Sequence, residues 1–133
     1  MALINKLNAD IKTRDKLIFG EYDPSKYIGG VRKFKNINAE TLQKLVDARF
    51  ADPEGTQNDS PELGEMLAFI TKYPDYTVHG YTVIDTRDDY RVTVEGLSKD
   101  EPETDINILR EFVDMNRWAD EFEITTKMYC WYD

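Results

Sequence analysis

Tyr76-Thr77-Val78-His79-Gly80-Tyr81-Thr82-Val83-Ile84-Asp85, the polar tip Thr86-Arg87-Asp88-Asp89, and Tyr90-Arg91-Val92-Thr93-Val94-Glu95-Gly96-Leu97 together decide the fold class of this chain. β-branched and aromatic residues crowd both arms and turn formers fill the tip, so the stretch predicts a β-hairpin. In the second arm Tyr90, Val92 and Val94 alternate with Arg91, Thr93 and Glu95, which predicts one buried and one wet face.

Upstream, Ser60 reads as an N-cap, Pro61 as the first helical residue, and Glu62 and Glu65 suit the positive end of the helix dipole. Leu63, Met66, Leu67 and Ile70 supply the apolar stripe, and Pro74 stops the helix. Downstream of the acidic turn at 98–103, a helix from about Thr104 to Ala119 is expected to carry Ile106, Leu109, Phe112 and Val113 inward. A last strand is predicted from Phe122 to Tyr132, with Phe122, Ile124, Met128 and Cys130 alternating against Glu123, Thr125, Lys127 and Tyr129. The C-terminal part thus reads α-β-β-α-β. A right-handed crossover through the last helix would set the third strand parallel to the second and beside the first, in order 2-1-3. The alternative puts that strand at the other edge, with the two central helices forming a hairpin.

The first third is less regular. Ile4, Leu7 and Ile11 recur at helical spacing, predicting an amphipathic helix from Ala2 to about Lys16. Gly20, Asp23-Pro24-Ser25 and Gly29-Gly30 mark a loop over 20–30, with room for one short extended stretch after it. Asn38 is a good N-cap for a helix to about Phe50 that buries Leu42, Leu45, Val46 and Phe50. The turn-rich segment 52–59 connects it to the next helix. The expected fold is α+β: a small antiparallel or mixed three-stranded sheet, made of the hairpin plus the C-terminal strand and covered by about four helices.

A chain of 133 residues with 41% apolar and 12% aromatic residues suits one domain with its own core, here spanning 1–133. The single cysteine, Cys130, excludes an internal disulfide, and the N-terminal residues lack the apolar run of a signal peptide. No stretch approaches a membrane span, so the expected location is the cytoplasm, with no membrane partner. The net charge of −9 is unevenly placed: ten Lys and Arg face six Asp and Glu up to residue 50, whereas seven face twenty beyond it. A basic helical part therefore precedes an acidic one, and the two halves invite different partners.

Asp85, Asp88 and Asp89 at the hairpin tip supply oxygen ligands, yet Asp is also simply a turn former. The loop 52–62 is rich in carboxylates, but an EF-hand starting at Asp52 would need glycine sixth and glutamate twelfth, where Gly55 is fourth and Leu63 twelfth. No metal or cofactor is expected. His79, the lone histidine, is a candidate general base without a nucleophile at a telling spacing. Cys130 reads as a small buried hydrophobe. Arg32, Lys33 and Lys35 interleave with Phe34 after Gly29-Gly30 and form a candidate basic patch, although the spacing of a phosphate loop is missing. The helices on either side of 52–59 lie too far apart for a helix-turn-helix, and the acidic remainder opposes nucleic acid.

Tyr129, Trp131 and Tyr132 end the chain with three large rings, which are favoured interface anchors when they face solvent. Were the last strand a sheet edge, it would recruit a peptide or a second copy as a homodimer. Asp88, Asp89 and Glu95 are the acidic interaction candidates.

Phe50 through Tyr90, including Ala51-Asp52-Pro53, Thr56-Gln57-Asn58-Asp59-Ser60-Pro61, Lys72-Tyr73-Pro74, His79-Gly80-Tyr81 and Asp89-Tyr90-Arg91-Val92, resembles small uncharacterised proteins encoded on conjugative elements and prophages of Gram-positive gut bacteria. The likeness extends to Tyr129-Cys130-Trp131-Tyr132-Asp133. It implies the setting of an intracellular accessory protein of a mobile element, and brings no activity, cofactor or catalytic residue with it. Without a coherent catalytic set, the expected function is a non-enzymatic protein-interaction module. The alternatives are a small enzyme with a site near His79, or an acidic mimic of nucleic acid using Glu95, Asp105, Glu111, Asp114 and Glu123.

Overall fold

The hairpin forms with β2 at Thr77–Val83 and β3 at Val92–Lys99 in a computed structural model that describes residues 6–133. Around it the described residues form a five-stranded antiparallel sheet, two strands more than expected. The additional strand β1, Val31–Ile37, pairs antiparallel with β2. The expected last strand is broken into β4, Glu121–Glu123, and β5, Met128–Trp131, which pair with each other across a turn at 124–127. The sheet order is β1-β2-β3-β5-β4. The C-terminal strand therefore lies beside β3, as in the alternative topology, and runs antiparallel to it. The place beside β2 is taken by β1, which removes the site that the 2-1-3 order required.

Helix ends follow local hydrogen bonding. The region expected as a helix from Ala2 lies partly outside the described residues, and α1 spans Ile11–Phe19, beginning where Asp10 accepts from the Thr13 amide and ending at Gly20 in the left-handed region. Helix α2, Ala39–Asp47, starts at Asn38, whose side chain accepts from the Thr41 amide at 2.9 Å. Helix α3, Leu63–Lys72, starts two residues later than the Ser60 cap suggests. Ser60 instead accepts from the Gln57 amide and donates to the Pro61 carbonyl, while the Glu62 amide donates to the Glu65 side chain at 2.8 Å. Helix α4 is shorter than expected, Ile106–Met115: Asp105 caps its start by accepting from the Asn107 amide, and at its end Asn116 turns its side-chain amide back to the Phe112 carbonyl. No helix among the described residues is long and apolar enough to cross a membrane.

The core lies between one face of the sheet and the helices. Phe34, Val78, Val92, Val94, Leu97, Met128 and Cys130 meet Leu42, Leu45, Phe50, Leu63, Met66 and Ile70 there. Phe69 edges against Tyr73, Tyr76 and Phe112 with ring centroids 4.9, 5.0 and 6.0 Å away, which ties α4 to α3. The alternation in β3 is not the expected one. Val92, Val94 and Leu97 face the core across a bulge, where His79 pairs with Gly96 but Gly80 pairs with Val94 and Glu95 is left over. Thr93 and Glu95, expected to be wet, are 6% and 9% exposed.

A charged cluster fastens α1 to the sheet. Arg14 and Asp15 are fully buried and form an ion pair at 2.9 Å. Arg14 also donates to the Val83 carbonyl and to the Tyr27 hydroxyl, while Tyr27 donates to Asp15 at 2.5 Å. Burial, reinforced by the Asp15 carboxylate, pushes the Tyr27 hydroxyl up to about 12. Removing one partner of a buried pair strands the other. Asp15→Ala is expected to lower the urea unfolding free energy by roughly 3–5 kcal/mol, whereas Lys12→Ala, exposed on the same helix, should stay within about 0.5 kcal/mol of the parent.

Candidate binding cleft on the open face of the sheet

Strand alternation sends His79 and Tyr81 of β2 away from the helices, together with Tyr129 and Trp131 of β5, since Ser98 pairs with Tyr129 and His79 with Gly96. On β1 the same alternation separates the basic trio. Lys33, paired with Tyr81, and Lys35 point to this open face, whereas Arg32 lies 3.7 Å from the Phe19 ring centroid and 3.4 Å from Glu21. A cleft of about 660 Å³ results, with Lys33 and Lys35 on one wall, His79 and Gly80 on the floor, and Glu95, Tyr129 and Trp131 on the other side. Its size is that of an ordinary ligand site.

Gly96 shapes the floor. A Cβ there would fall 1.9 Å from the Cys130 carbonyl oxygen and 2.9 Å from His79 Nε2, so only glycine lets β3 approach β5 and lets the imidazole lie over its backbone. Into that gap lean His79 and Tyr129, stacked with centroids 5.3 Å apart and planes 5° apart. Lys127 sits 5.3 Å from the Tyr129 ring centroid.

Burial pushes the His79 imidazole down to about 4, and no charged neighbour contributes to that shift. It is therefore neutral at pH 7. Its Nε2 is buried and meets no hydrogen-bond partner among the described residues. Such an atom costs stability until something pairs with it. Burial pushes the Glu95 carboxyl up, opposed by the nearby Lys33 charge and a hydrogen bond from Trp131. A buried acid, an indole and an unpartnered imidazole thus share one cleft, and they can bind and orient a ligand.

The other sequence candidates fall elsewhere. Tyr132, grouped with Tyr129 and Trp131 as an anchor, is 1% exposed and its hydroxyl donates to Asn116 Oδ1 at 3.1 Å, so it belongs to the core. Cys130 is fully buried, its Sγ is 3.7 Å from the Leu97 carbonyl oxygen, and burial pushes the thiol up to about 12. Asp89 is clamped by Arg87 at 2.6 Å and Arg91 at 3.0 Å, with Asp88 exposed beside it, so the hairpin tip is a braced turn. No group of three or more His, Cys, Asp or Glu that could hold a metal ion occurs among the described residues. Of the carboxylates of the expected phosphate mimic, Glu95 lies in the cleft, Asp105 caps α4, Glu111 and Asp114 belong to α4, and Glu123 ends β4.

The convergence of Lys33, Lys35, His79 and Glu95 is not visible in the sequence, because they come from three strands and only the pairing of β1 with β2 brings them together. The spacing Val92, Val94, Leu97 is the signal that was available: a step of three within a period of two marks a bulge. Trp118, 70% exposed, was also not singled out, and Ile106, expected inward, is 62% exposed. In comparisons with known proteins, no family model, no curated protein and no solved structure matches this chain.

The histidine has a measurable signature. Its folded pKa of about 4 lies below the ordinary histidine value of 6.5, so between those values the unfolded chain binds a proton that the folded chain refuses. Stability attributable to this group is complete above about pH 6.5 and is lost as pH falls towards 4, by up to roughly 3 kcal/mol. Urea unfolding followed between pH 7 and pH 4 should show a shallower acid loss for His79→Gln than for the parent.

Proposed function

We propose that this chain is a non-enzymatic interaction module that takes its protein partner across the open face of the sheet, with Trp131 and Tyr129 as anchors. The observation that carries this reading is the cleft itself: large rings beside a buried imidazole whose Nε2 has no partner, on a face of the sheet that no helix among the described residues covers. A half-buried indole flanked by polar groups is the kind of side chain that dominates binding energy when a partner completes its burial.

Recruitment of a second copy by the C-terminal strand does not follow, because β5 is flanked on both sides by β3 and β4 and has no free edge. The open edges are β4, only three residues long, and β1, which carries two lysines and a bulge between Phe34 and Ile37. Both are features that discourage strand addition. The likeness to accessory proteins of mobile elements supports a cytoplasmic setting for such a module.

Selection from a random linear peptide library on the immobilised protein tests this reading. Peptides are expected to be enriched whose affinity falls at least about tenfold in Trp131→Ala, while the urea midpoint of that variant keeps it fully folded at assay temperature. In a Trp118→Phe background, Trp131 is the remaining tryptophan and its fluorescence should shift on binding. Failure to enrich peptides, or affinities indifferent to Trp131→Ala, would overturn the assignment.

A further inference from the structure

The cleft is electrically two-sided. Lys33 and Lys35 project from β1, while Glu95 belongs to β3 and Asp100 follows its last residue, so one strand, β2, runs between the positive and negative walls. Two strand spacings amount to roughly 10 Å. At that separation the walls sense each other without closing: the Lys33 charge reaches Glu95, yet among the described residues no ion pair within 4.0 Å joins either lysine to Glu95 or Asp100.

Several other charges of this molecule are paired internally. Arg14 has Asp15, Lys99 has Glu103, and Arg87 and Arg91 have Asp89. The cleft differs in keeping both signs unpaired and facing a common space. Beside them stands the orphaned His79 Nε2.

A ligand of one sign meets an opposing wall. A polyanion such as single-stranded nucleic acid would place phosphates near Glu95 and Asp100, in a chain of net charge −9. A polycation would meet Lys33 and Lys35. What fits is an occupant carrying both signs, with polar groups between them for the imidazole. An extended peptide has this composition: its backbone offers N–H and C=O groups at every residue, and about three residues of extended chain span roughly 10 Å. Trp131 fixes the polarity further. It lines the same side of the cleft as Glu95, so a guanidinium that pairs with the acid also comes near the ring.

Building on the reading above, we infer that the partner segment is an extended peptide of mixed charge, with an acidic side chain between Lys33 and Lys35 and an arginine at Glu95 and Trp131. The two charged residues stand two to four positions apart. Backbone groups between them satisfy His79.

The peptides selected on the parent protein carry the first test, and their consensus should contain an acidic and a basic residue at that spacing. A synthetic consensus peptide is then titrated against Lys33→Glu/Lys35→Glu, two exposed positions whose reversal leaves the core untouched. Affinity is expected to fall at least about tenfold and to be restored when the acidic residue of the peptide is replaced by lysine. Glu95→Gln should weaken the parent peptide but not one whose arginine is replaced by neutral citrulline. Should Glu95→Gln fail to fold, the arginine-to-citrulline change on the parent protein reads the same contact. Peptides that depend on Trp131 but carry a single charge sign, or none, would sink this inference and leave the binding site standing. Mixed-charge peptides indifferent to Lys33→Glu/Lys35→Glu would likewise sink it.

Discussion

One extra residue in β3 sets the phase of the whole sheet. With Glu95 inserted opposite the His79–Gly80 step, Val92, Val94 and Leu97 all reach the helices although their spacing is two and then three. Without it, a strict alternation from Val94 would carry Leu97 outward and Gly96 inward. The bulge also delivers Glu95 to the open face and leaves Gly96 next to it. There the missing side chain permits β5 to close in and His79 to stack on Tyr129. Core and cleft are two consequences of the same register slip, so neither can be altered without the other.

The second constraint is the buried ionic cluster at the far end of β2. Thr82 donates towards the Tyr27 hydroxyl, which itself accepts from Arg14 and donates to Asp15, so the first helix, the loop after it and β2 share one network. Each polar group there finds a partner, which is what makes burial of two charges tolerable. The contrast with His79 is instructive. Both sites bury polar atoms beneath rings, but one is closed by the chain's own groups and the other is left open.

The central hairpin, α2 and α3 were legible from sequence because their patterns are long and local: period two on both sides of a turn-rich tip, and apolar stripes at helical spacing. The last strand was misread because Phe122 and Met128 share a parity that a continuous strand would also have. The turn at 124–127 carries neither glycine nor proline to mark it. Strand β1 falls where a short extended stretch is expected after the loop, but its membership of the sheet is not legible. Arg32, Lys33 and Lys35 give it no apolar face long enough to mark a partner, and with Asn36 at a positive φ of 59° they suit an unpaired border. The cleft was illegible for a different reason. Its residues come from four strands, and only register, not composition, brings Lys33, His79, Glu95 and Trp131 to one place.

Cys130 gives the sheet a built-in clock. Its sulfur lies on the helix side of β5, shut from solvent and held in the thiol form by its surroundings. Neighbouring tyrosine and tryptophan on the same strand face the other way and remain reachable. Any reagent that modifies the sulfur must therefore wait for β5 to separate from the helices, so the labelling rate counts openings of the C-terminal hairpin and ignores events on the cleft side. The chain reports on its own integrity without an introduced probe.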